Sequence, residues 1–341
     1  MDPYKALCLT ESKDPFKALG ITVHQDGTTS RSSIVSLSPA FLDGESLPGA
    51  TTTVSSKDVP LNPSNDTTVR LFLPSSLPPS KSLPLVIYFH GGGFVLFHAA
   101  SAPMHALCAH LAASLPVVVA SVDYRLAPEH RLPAAFDDAR DALLWAQSAV
   151  SSEPWIRDFV DPTKLFLMGS SAGGNICYHA ALDFISSRLD INPLRLSGLI
   201  LNQPYFGGID RTASELAFAD DKIIPLLTND LLWELALPLG SNRDHEYSNV
   251  VVKEAKEVKL IPPCLVRGVT EDPLFDRQKL FVEMLVRAGV TVVAKMGSTG
   301  HHGIEYLNPD KAAEMATDVK NFVCGVAEFD APGSFVPERN S

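Results

Sequence analysis

The sequence predicts an α/β fold with a mostly parallel central sheet flanked by helices. Short apolar runs alternate along the chain with helical patterns, as they do in such folds. The runs are apolar throughout, which is typical of strands that are buried on both faces. The chain has 341 residues, 45% of them hydrophobic, enough for one large buried core.

The elements follow in chain order. A Pro- and Ser-rich loop over 74–84 separates the first two predicted strands. The predicted strands cover 69–73, 85–89, 117–122, 165–168, 199–201, 264–267 and 290–294. The predicted helices cover 134–149, 174–188, 274–288 and 309–322, with apolar residues at helical spacing in the first.

Two stretches break the alternation: residues 1–45, called here the N-terminal segment, and residues 205–250, called the insertion. Long additions to a compact fold are usually functional, so both are predicted to form a lid over the site. Surface decoration is the alternative. We expect one domain over 1–328 and a disordered tail over 329–341.

Composition excludes several classes of protein. The net charge is −11 with no long basic run, which argues against nucleic-acid binding. No apolar stretch is long enough to span a bilayer, so no membrane partner is expected. The first residues carry early charges and no apolar leader pattern, which predicts the cytoplasm.

The cysteines indicate neither disulfides nor a metal site. They are odd in number and widely spaced, with no CxxC pair, as expected of reduced thiols in a reducing compartment. The five are Cys8, Cys108, Cys177, Cys264 and Cys324.

Residues 169–173 form a GSSAG motif between a predicted strand and a predicted helix. A G-x-S-x-G pattern in this context makes a sharp turn that presents a serine nucleophile. The motif centre is Ser171, and Ser170 is the rival nucleophile. The pattern alone is weak, because five-residue motifs recur by chance.

Residues 90–94 (HGGGF), called here the oxyanion loop, directly follow the strand over 85–89. Acyl transfer builds negative charge on the former carbonyl oxygen, and glycines expose backbone N–H groups that can stabilise it. The predicted donors are the N–H groups of Gly92, Gly93 and Ala172. A phosphate loop is a poor alternative, since no G-x-x-x-x-G-K-[ST] pattern is present.

A serine nucleophile needs a general base, and in folds with this elbow the base comes late in the chain. Four histidines follow Ser171, but only His301 and His302 lie in a Gly-rich loop after the last predicted strand. Ligands in α/β folds gather at such carboxyl ends of strands. Position alone leaves both histidines open.

The orienting acid should follow the preceding strand, over 264–267. Asp272 and Asp276 are both there. Asp272 lies in the loop and Asp276 already in the next helix, so loop placement favours Asp272.

Together these motifs resemble a known family. HGGGF, the run DYRLAPEH over 123–130, GSSAGGN from 169 and DPLFD from 272 resemble the hormone-sensitive-lipase group of α/β-hydrolases, and within it the plant carboxylesterases. The resemblance covers roughly 50–325. It implies an α/β-hydrolase fold, Asp272 as the acid, His302 as the base, a lid built from both unusual stretches, and no cofactor.

Two positions depart from the family pattern. Relatives commonly carry an acidic residue where Ser170 stands, which should alter local electrostatics without removing the nucleophile. His301 stands where relatives often carry an aromatic, and we expect it in the pocket wall. Phe94, directly after the glycines, is the other predicted substrate contact. The run over 94–97 is expected either to line the acyl pocket or to pack as core.

Other polar residues are predicted to be structural. The polar group over 123–131 follows a buried strand and is typical of a hydrogen-bonded scaffold. His90 should hold the oxyanion loop. His98, His105 and His110 are irregularly spaced, so no metal site is predicted.

The prediction is therefore a carboxylesterase that hydrolyses small esters through a Ser-His-Asp triad and an acyl-enzyme, with a small-molecule ester as its partner. The alternatives on the same scaffold are an acyltransferase, a lyase or cyclase, and a hormone-type receptor. The gibberellin receptor resembles these esterases but lacks a working histidine, whereas this chain has all three triad residues. Acyl length, alcohol and oligomeric state are not indicated.

Overall fold

The structure is a computed structural model that describes residues 15–26, 28–32, 34–46, 52–77, 82–252 and 255–325. The predicted tail over 329–341 and the first 14 residues of the N-terminal segment lie outside these ranges. Within them, no helix is both long and apolar enough to cross a membrane.

The described strands are β1 (Ile21–Val23), β2 (Thr29–Arg31), β3 (Glu45–Ser46), β4 (Thr53–Asn62), β5 (Thr67–Pro74), β6 (Leu83–Phe89), β7 (Val118–Asp123), β8 (Val160–Ser170), β9 (Leu196–Asn202), β10 (Cys264–Val269) and β11 (Val292–Ser298). They form a nine-stranded sheet in the order β11-β10-β9-β8-β6-β7-β5-β4-β3, beside a small antiparallel pair, β1 and β2. The six strands from β11 to β7 in this order pair in parallel, and β5, β4 and β3 continue the sheet antiparallel.

Helices cover both faces of this sheet, which confirms the predicted fold class. The α-helices are α1 (Pro15–Ala18), α2 (Ala102–Ser114), α3 (Ala134–Ser152), α4 (Pro154–Phe159), α5 (Ala172–Ser186), α6 (Ala213–Ala217), α7 (Leu226–Ala236), α8 (Phe275–Arg287) and α9 (Pro309–Gly325). Short 3₁₀ helices lie at Val258–Leu260 and Ile304–Tyr306.

The central strand β6 shows why the sheet is buried on both sides. All seven of its residues are buried. Leu85, Ile87 and Phe89 pack into one apolar cluster, and Val86 and Tyr88 into the cluster on the opposite face. This division follows from the two-residue period of a strand, and explains the continuous apolar run in the sequence.

Parallel pairing sets the place of the functional site. β6 pairs with β8 in register from Leu85 with Leu165 to Phe89 with Gly169. β8 pairs with β9, β9 with β10 and β10 with β11, all parallel, so their carboxyl ends share one edge of the sheet. The loops that carry the candidate motifs leave from this edge.

Candidate active site

Ser171 lies in a sharp turn between β8 and α5. Its φ of 53° and ψ of −119° are strained for a residue with a side chain. The Ser171 N–H donates to the Asn202 carbonyl at 2.9 Å, and the Gly174 N–H donates to the Ser171 carbonyl at 2.9 Å. The end of β9 and the first turn of α5 therefore hold the serine in this conformation.

The glycines of the motif are required by close backbone packing. A Cβ atom on Gly173 would lie 1.9 Å from the carbonyl oxygen of Phe89, at the end of β6. A Cβ atom on Gly169 would lie 2.1 Å from the carbonyl carbon of Gly173. No side-chain rotation can relieve a clash with backbone, so these two positions need glycine.

The structure brings Ser171, His302 and Asp272 together from three separate loops. Nε2 of His302 lies 2.9 Å from Oγ of Ser171, and its Nδ1 lies 2.8 Å from Oδ2 of Asp272. Asp272 is fully buried and His302 is 6% exposed. When a hydroxyl, an imidazole and a carboxylate are hydrogen-bonded in this order, the imidazole can activate the hydroxyl as a nucleophile.

The electrostatics of His302 favour its protonated form. Burial by itself lowers the pKa of His302, but the charge of Asp272 and its hydrogen bond, together with the charges of Glu305 and Asp221, raise it above the ordinary value. An imidazolium formed by proton transfer from Ser171 is therefore stabilised where it forms.

Asp272 is held by two further donors. The Leu274 N–H donates to its Oδ1 at 2.8 Å, and Nε2 of Gln278 donates to its Oδ2 at 2.9 Å. The rival Asp276 instead accepts from the Ser214 N–H at 2.8 Å, and so anchors α6 of the insertion. Sequence reasoning missed Gln278, which lies on α8 with nothing in the chain pattern to mark it.

The oxyanion loop lies directly against the elbow. A Cβ atom on Gly91 would lie 3.2 Å from Cβ of Ser171. Gly92 and Gly93 have φ of 114° and 61°, and the Gly92 carbonyl accepts from the Leu96 N–H at 2.9 Å, which closes a tight turn. This geometry fits the predicted donor role of Gly92, Gly93 and Ala172, which stays a prediction.

His90 supports the oxyanion loop through its ring. Its ring stacks on Tyr124 with centroids 4.3 Å apart, and its Nδ1 donates to the Gly91 carbonyl at 2.7 Å. The Tyr124 hydroxyl donates to the His90 carbonyl at 2.9 Å. Burial lowers the pKa of His90 to about 4, so the ring is neutral at pH 7.

The polar residues over 123–131 make the hydrogen bonds expected of a structural scaffold. Asp123 accepts from the Ala99 N–H at 3.0 Å, and Asp138 accepts from the Arg125 N–H at 2.8 Å. Arg131 donates to the Leu237 carbonyl at 2.7 Å, which ties the insertion to the loop between β7 and α3. These bonds fix loops rather than face Ser171.

A cavity opens beside Ser171 and His302. Its lining includes both apolar and polar side chains. The apolar ones are Leu96, Phe97, Met104, Ile223, Ile224 and Leu232, the polar ones include Ser170, Gln203, Glu305 and Tyr306, and Gly91, Gly92, Gly93 and Gly303 add backbone to the wall.

The two predicted lid stretches contribute differently. The insertion places Ile223, Ile224 and Leu232 in the cavity wall. The described residues of the N-terminal segment pack outside the wall: Arg31 donates to the Val95 carbonyl and pairs with Glu129. The insertion therefore shapes the cavity, and Arg31 of the N-terminal segment braces the loop that carries Val95. The lid itself stays a prediction.

The two predicted substrate contacts lie away from this wall. Phe94 is 1% exposed and packs against Trp233 and Tyr205, with ring centroids 5.6 and 6.1 Å away. His301 is half-buried, and its Nδ1 donates to the His302 carbonyl at 3.0 Å. The cavity lining includes neither of them, whereas Leu96 and Phe97, from the same predicted run, do lie in it.

Comparisons with known proteins agree on one family. A family model described as the alpha/beta hydrolase fold matches residues 86–305. The chain is 42% identical over 323 residues to probable carboxylesterase 8 of Arabidopsis thaliana, covering 92% of this chain and 94% of that protein. It is 44% identical over 281 residues to a 3-O-acetylpapaveroxine carboxylesterase of Papaver somniferum, covering 78% and 89%.

Solved structures share the architecture. A hyperthermophilic esterase from the archaeon Pyrobaculum calidifontis superposes with a TM-score of 0.68 at 26% identity, covering 80% of this chain and 86% of that one. A thermostable esterase from Pseudomonas putida gives a TM-score of 0.70 at 24% identity, covering 83% and 86%, a likeness of fold alone.

Proposed function

The chain belongs to the α/β-hydrolase family and, within it, to the plant carboxylesterases, and from that premise we propose that it hydrolyses small carboxylic esters at Ser171. The ester hydrolase class predicted from sequence is confirmed by these relatives. The residue roles are our proposal.

One observation carries the assignment of roles. The His302 imidazole lies within hydrogen-bond distance of both Ser171 and Asp272, at 2.9 and 2.8 Å. General-base activation requires this reach, and the buried carboxylate selects the tautomer whose Nε2 can accept the serine proton.

In the first half of the reaction, Ser171 Oγ attacks the ester carbonyl while His302 Nε2 takes the hydroxyl proton. Negative charge develops on the former carbonyl oxygen, and the N–H groups of Gly92, Gly93 and Ala172 stabilise it. His302 then gives its proton to the departing alcohol, which leaves an acyl group on Ser171.

In the second half, water attacks the acyl-enzyme. His302 accepts a proton from the water, the same N–H groups stabilise the second tetrahedral intermediate, and the acid departs as Ser171 regains its proton. The proposed steps use side chains and backbone of this chain, with no cofactor.

The cavity supports a neutral substrate of modest size. Six apolar side chains line the cavity. Burying apolar groups there contributes about 25 cal/mol per Å² of apolar area, whereas a charged acyl group would lose its hydration without a matching partner among those side chains. A cytoplasmic location stays a prediction.

Hydrolysis of p-nitrophenyl esters of graded acyl length by the wild type and Ser171→Ala tests the proposal. Loss of the nucleophile should lower kcat by about 10⁴-fold or more, with the thermal unfolding temperature unchanged. Ser170→Ala is the matched control and should keep measurable turnover. Substantial hydrolysis by pure Ser171→Ala would refute the assignment.

A further inference from the structure

A buried carboxylate faces the cavity close to the catalytic histidine. Glu305 follows His302 by three residues, on the 3₁₀ helix Ile304–Tyr306, and is 5% exposed. The proposed reaction steps do not use it. Burying a carboxylate is costly unless hydrogen bonds compensate, so its contacts should indicate why it is there.

Those contacts lead back to the histidine loop. Oε1 of Glu305 accepts from Nδ2 of Asn202, and its Oε2 accepts from Nε2 of Gln203 at 2.9 Å. The Oε1 of Gln203 in turn accepts from the N–H of Gly303 at 2.7 Å. Glu305 thus holds Gln203, and Gln203 holds the backbone next to His302.

The other end of this hydrogen-bond network is anchored at the end of β9. Asn202 is the last residue of β9, and its side-chain oxygen accepts from Nη1 of Arg267 at 2.8 Å. Arg267 is anchored by Asp318 at 2.8 Å. The Asn202 carbonyl also accepts the Ser171 N–H at 2.9 Å. One strand end therefore positions both the nucleophile elbow and, through Glu305 and Gln203, the histidine loop.

We propose that Glu305 is a positioning residue for ester hydrolysis: it ties the His302 loop to the strand end that holds Ser171 and places a second negative charge beside the imidazolium. The inference rests on the proposed function. In the proposed reaction Glu305 neither donates nor accepts a proton, and it acts through His302.

The charges around the site are consistent with this role. Asp272 and, from the insertion, Asp221 also face His302, and together with Glu305 they raise its pKa against the effect of burial. Both Glu305 oxygens accept from neutral amides, and the Arg267 guanidinium is one side chain further away. The negative charge of Glu305 is therefore felt at the imidazole.

Three other titratable side chains close to this network are neutral at pH 7. Burial raises the pKa of Tyr88 on β6 and of Tyr306 beside Glu305. Burial also raises the pKa of the Cys108 thiol on α2 to about 12. None of the three compensates the Glu305 charge.

Glu305→Gln tests the electrostatic part. It is nearly isosteric but removes the charge, so the pKa of His302 should fall. The base must be neutral to accept a proton, so the rising limb of kcat/KM against pH should move to lower pH. Loss of one anchoring bond should lower kcat by about tenfold, since small misplacements of catalytic groups cost up to about 10²-fold.

Two matched variants separate charge from anchoring. Glu305→Asp keeps the charge but has a shorter side chain, so kcat should fall while the rising limb of kcat/KM stays near its wild-type pH. Glu314→Gln removes a carboxylate near the same Arg267, on an exposed side chain of α9. It should change neither kcat nor the pH of the limb.

A folded Glu305→Gln variant whose limb stays at the wild-type pH overturns the proposal, whatever its kcat. If Glu305→Gln does not fold, Gln203→Leu tests the tether, and an unchanged kcat in that variant overturns it. Failure of the proposed function is distinguishable, because it appears as hydrolysis that survives Ser171→Ala in an otherwise wild-type chain.

Discussion

The loops at the sheet edge and the insertion above them are held by different kinds of contact. In the elbow, backbone packs on backbone, with Gly173 directly against the Phe89 carbonyl. In the insertion, side chains make many of the attachments: Arg277 pairs with the buried Glu215 at 3.1 Å, and Arg131 donates to the Glu234 carbonyl at 2.6 Å. Backbone bonds add to them, such as the Leu132 N–H that donates to the Ala236 carbonyl at 2.8 Å.

This difference indicates which parts of the site can vary. A backbone contact at van der Waals limits has no spare volume, so the position of Ser171 is set by the fold. Side-chain tethers hold the insertion in place while its cavity-facing residues can change in size. Substitutions in the elbow should therefore abolish function, whereas substitutions of cavity-facing residues in the insertion should change the substrate preference.

Gly173→Ala should have the largest effect. Its Cβ atom would overlap the Phe89 carbonyl, so the elbow must shift, at a cost above about 4 kcal/mol. We expect little folded protein and no hydrolysis. Gly240→Ala, in the insertion, meets no atom within 4 Å and has φ of +81°, so it should cost only about 1–2 kcal/mol. Thermal unfolding and activity measure both, and equal stability of the two variants would remove the contrast.

Asp272→Asn should lower kcat by about 10³- to 10⁴-fold, because an amide cannot hold the imidazole tautomer or stabilise imidazolium. Asp276→Asn should keep most of the turnover, since Asp276 contacts Ser214 in the insertion. Steady-state kinetics and unfolding of both variants provide the check. Equal losses at equal stability would leave the acid unassigned.

Leu232→Ala should change selectivity more than catalysis. Leu232 is 2% exposed and lies in the cavity wall, so truncation should cost about 2–5 kcal/mol of stability. The relative kcat/KM should shift by about tenfold towards bulkier acyl groups. Leu239→Ala, 84% exposed in the same insertion, is the control and should change neither. If Leu232→Ala keeps the wild-type preference for acyl size, the acyl group does not bind against Leu232.

The smallest expected effect is in the wild-type pH profile. Asp272, Glu305 and Asp221 raise the pKa of His302 despite its burial. A raised pKa keeps the imidazole protonated to higher pH, so kcat/KM should rise through a limb above about 6.5, the ordinary histidine value. A limb well below that value would show that burial outweighs the carboxylates.

The same contrast explains what could be predicted from sequence. The strands of the parallel sheet are continuous apolar runs, and the two glycine motifs follow directly from backbone packing, so both were recognisable. The predicted strand over 165–168 was too short, since β8 begins at Val160. After the buried Val160, residues 161–164 are partly or fully exposed and mostly polar, so they break the apolar signal.

Other elements left no clear pattern. The helix α2 (Ala102–Ser114) is apolar on nearly every side, so it lacks the one-sided spacing that marks a helix. The strand β4 (Thr53–Asn62) carries Lys57, Asp58 and Pro60 and pairs antiparallel with β5. Gln203, Gln278 and Glu305 reach the triad only through folding, and the placement of Phe94 in the core depends on the aromatic rings around it.

In the proposed mechanism, Ser171 is a nucleophile activated by His302 and not by His301. Labelling with a fluorophosphonate probe, followed by peptide mapping, tests it most directly, because the probe reacts only with an activated serine. We expect label on Ser171 in the wild type and in His301→Ala, and almost none in a folded His302→Ala. Label on Ser170, or labelling of Ser171 that survives His302→Ala and disappears in His301→Ala, would contradict the claim.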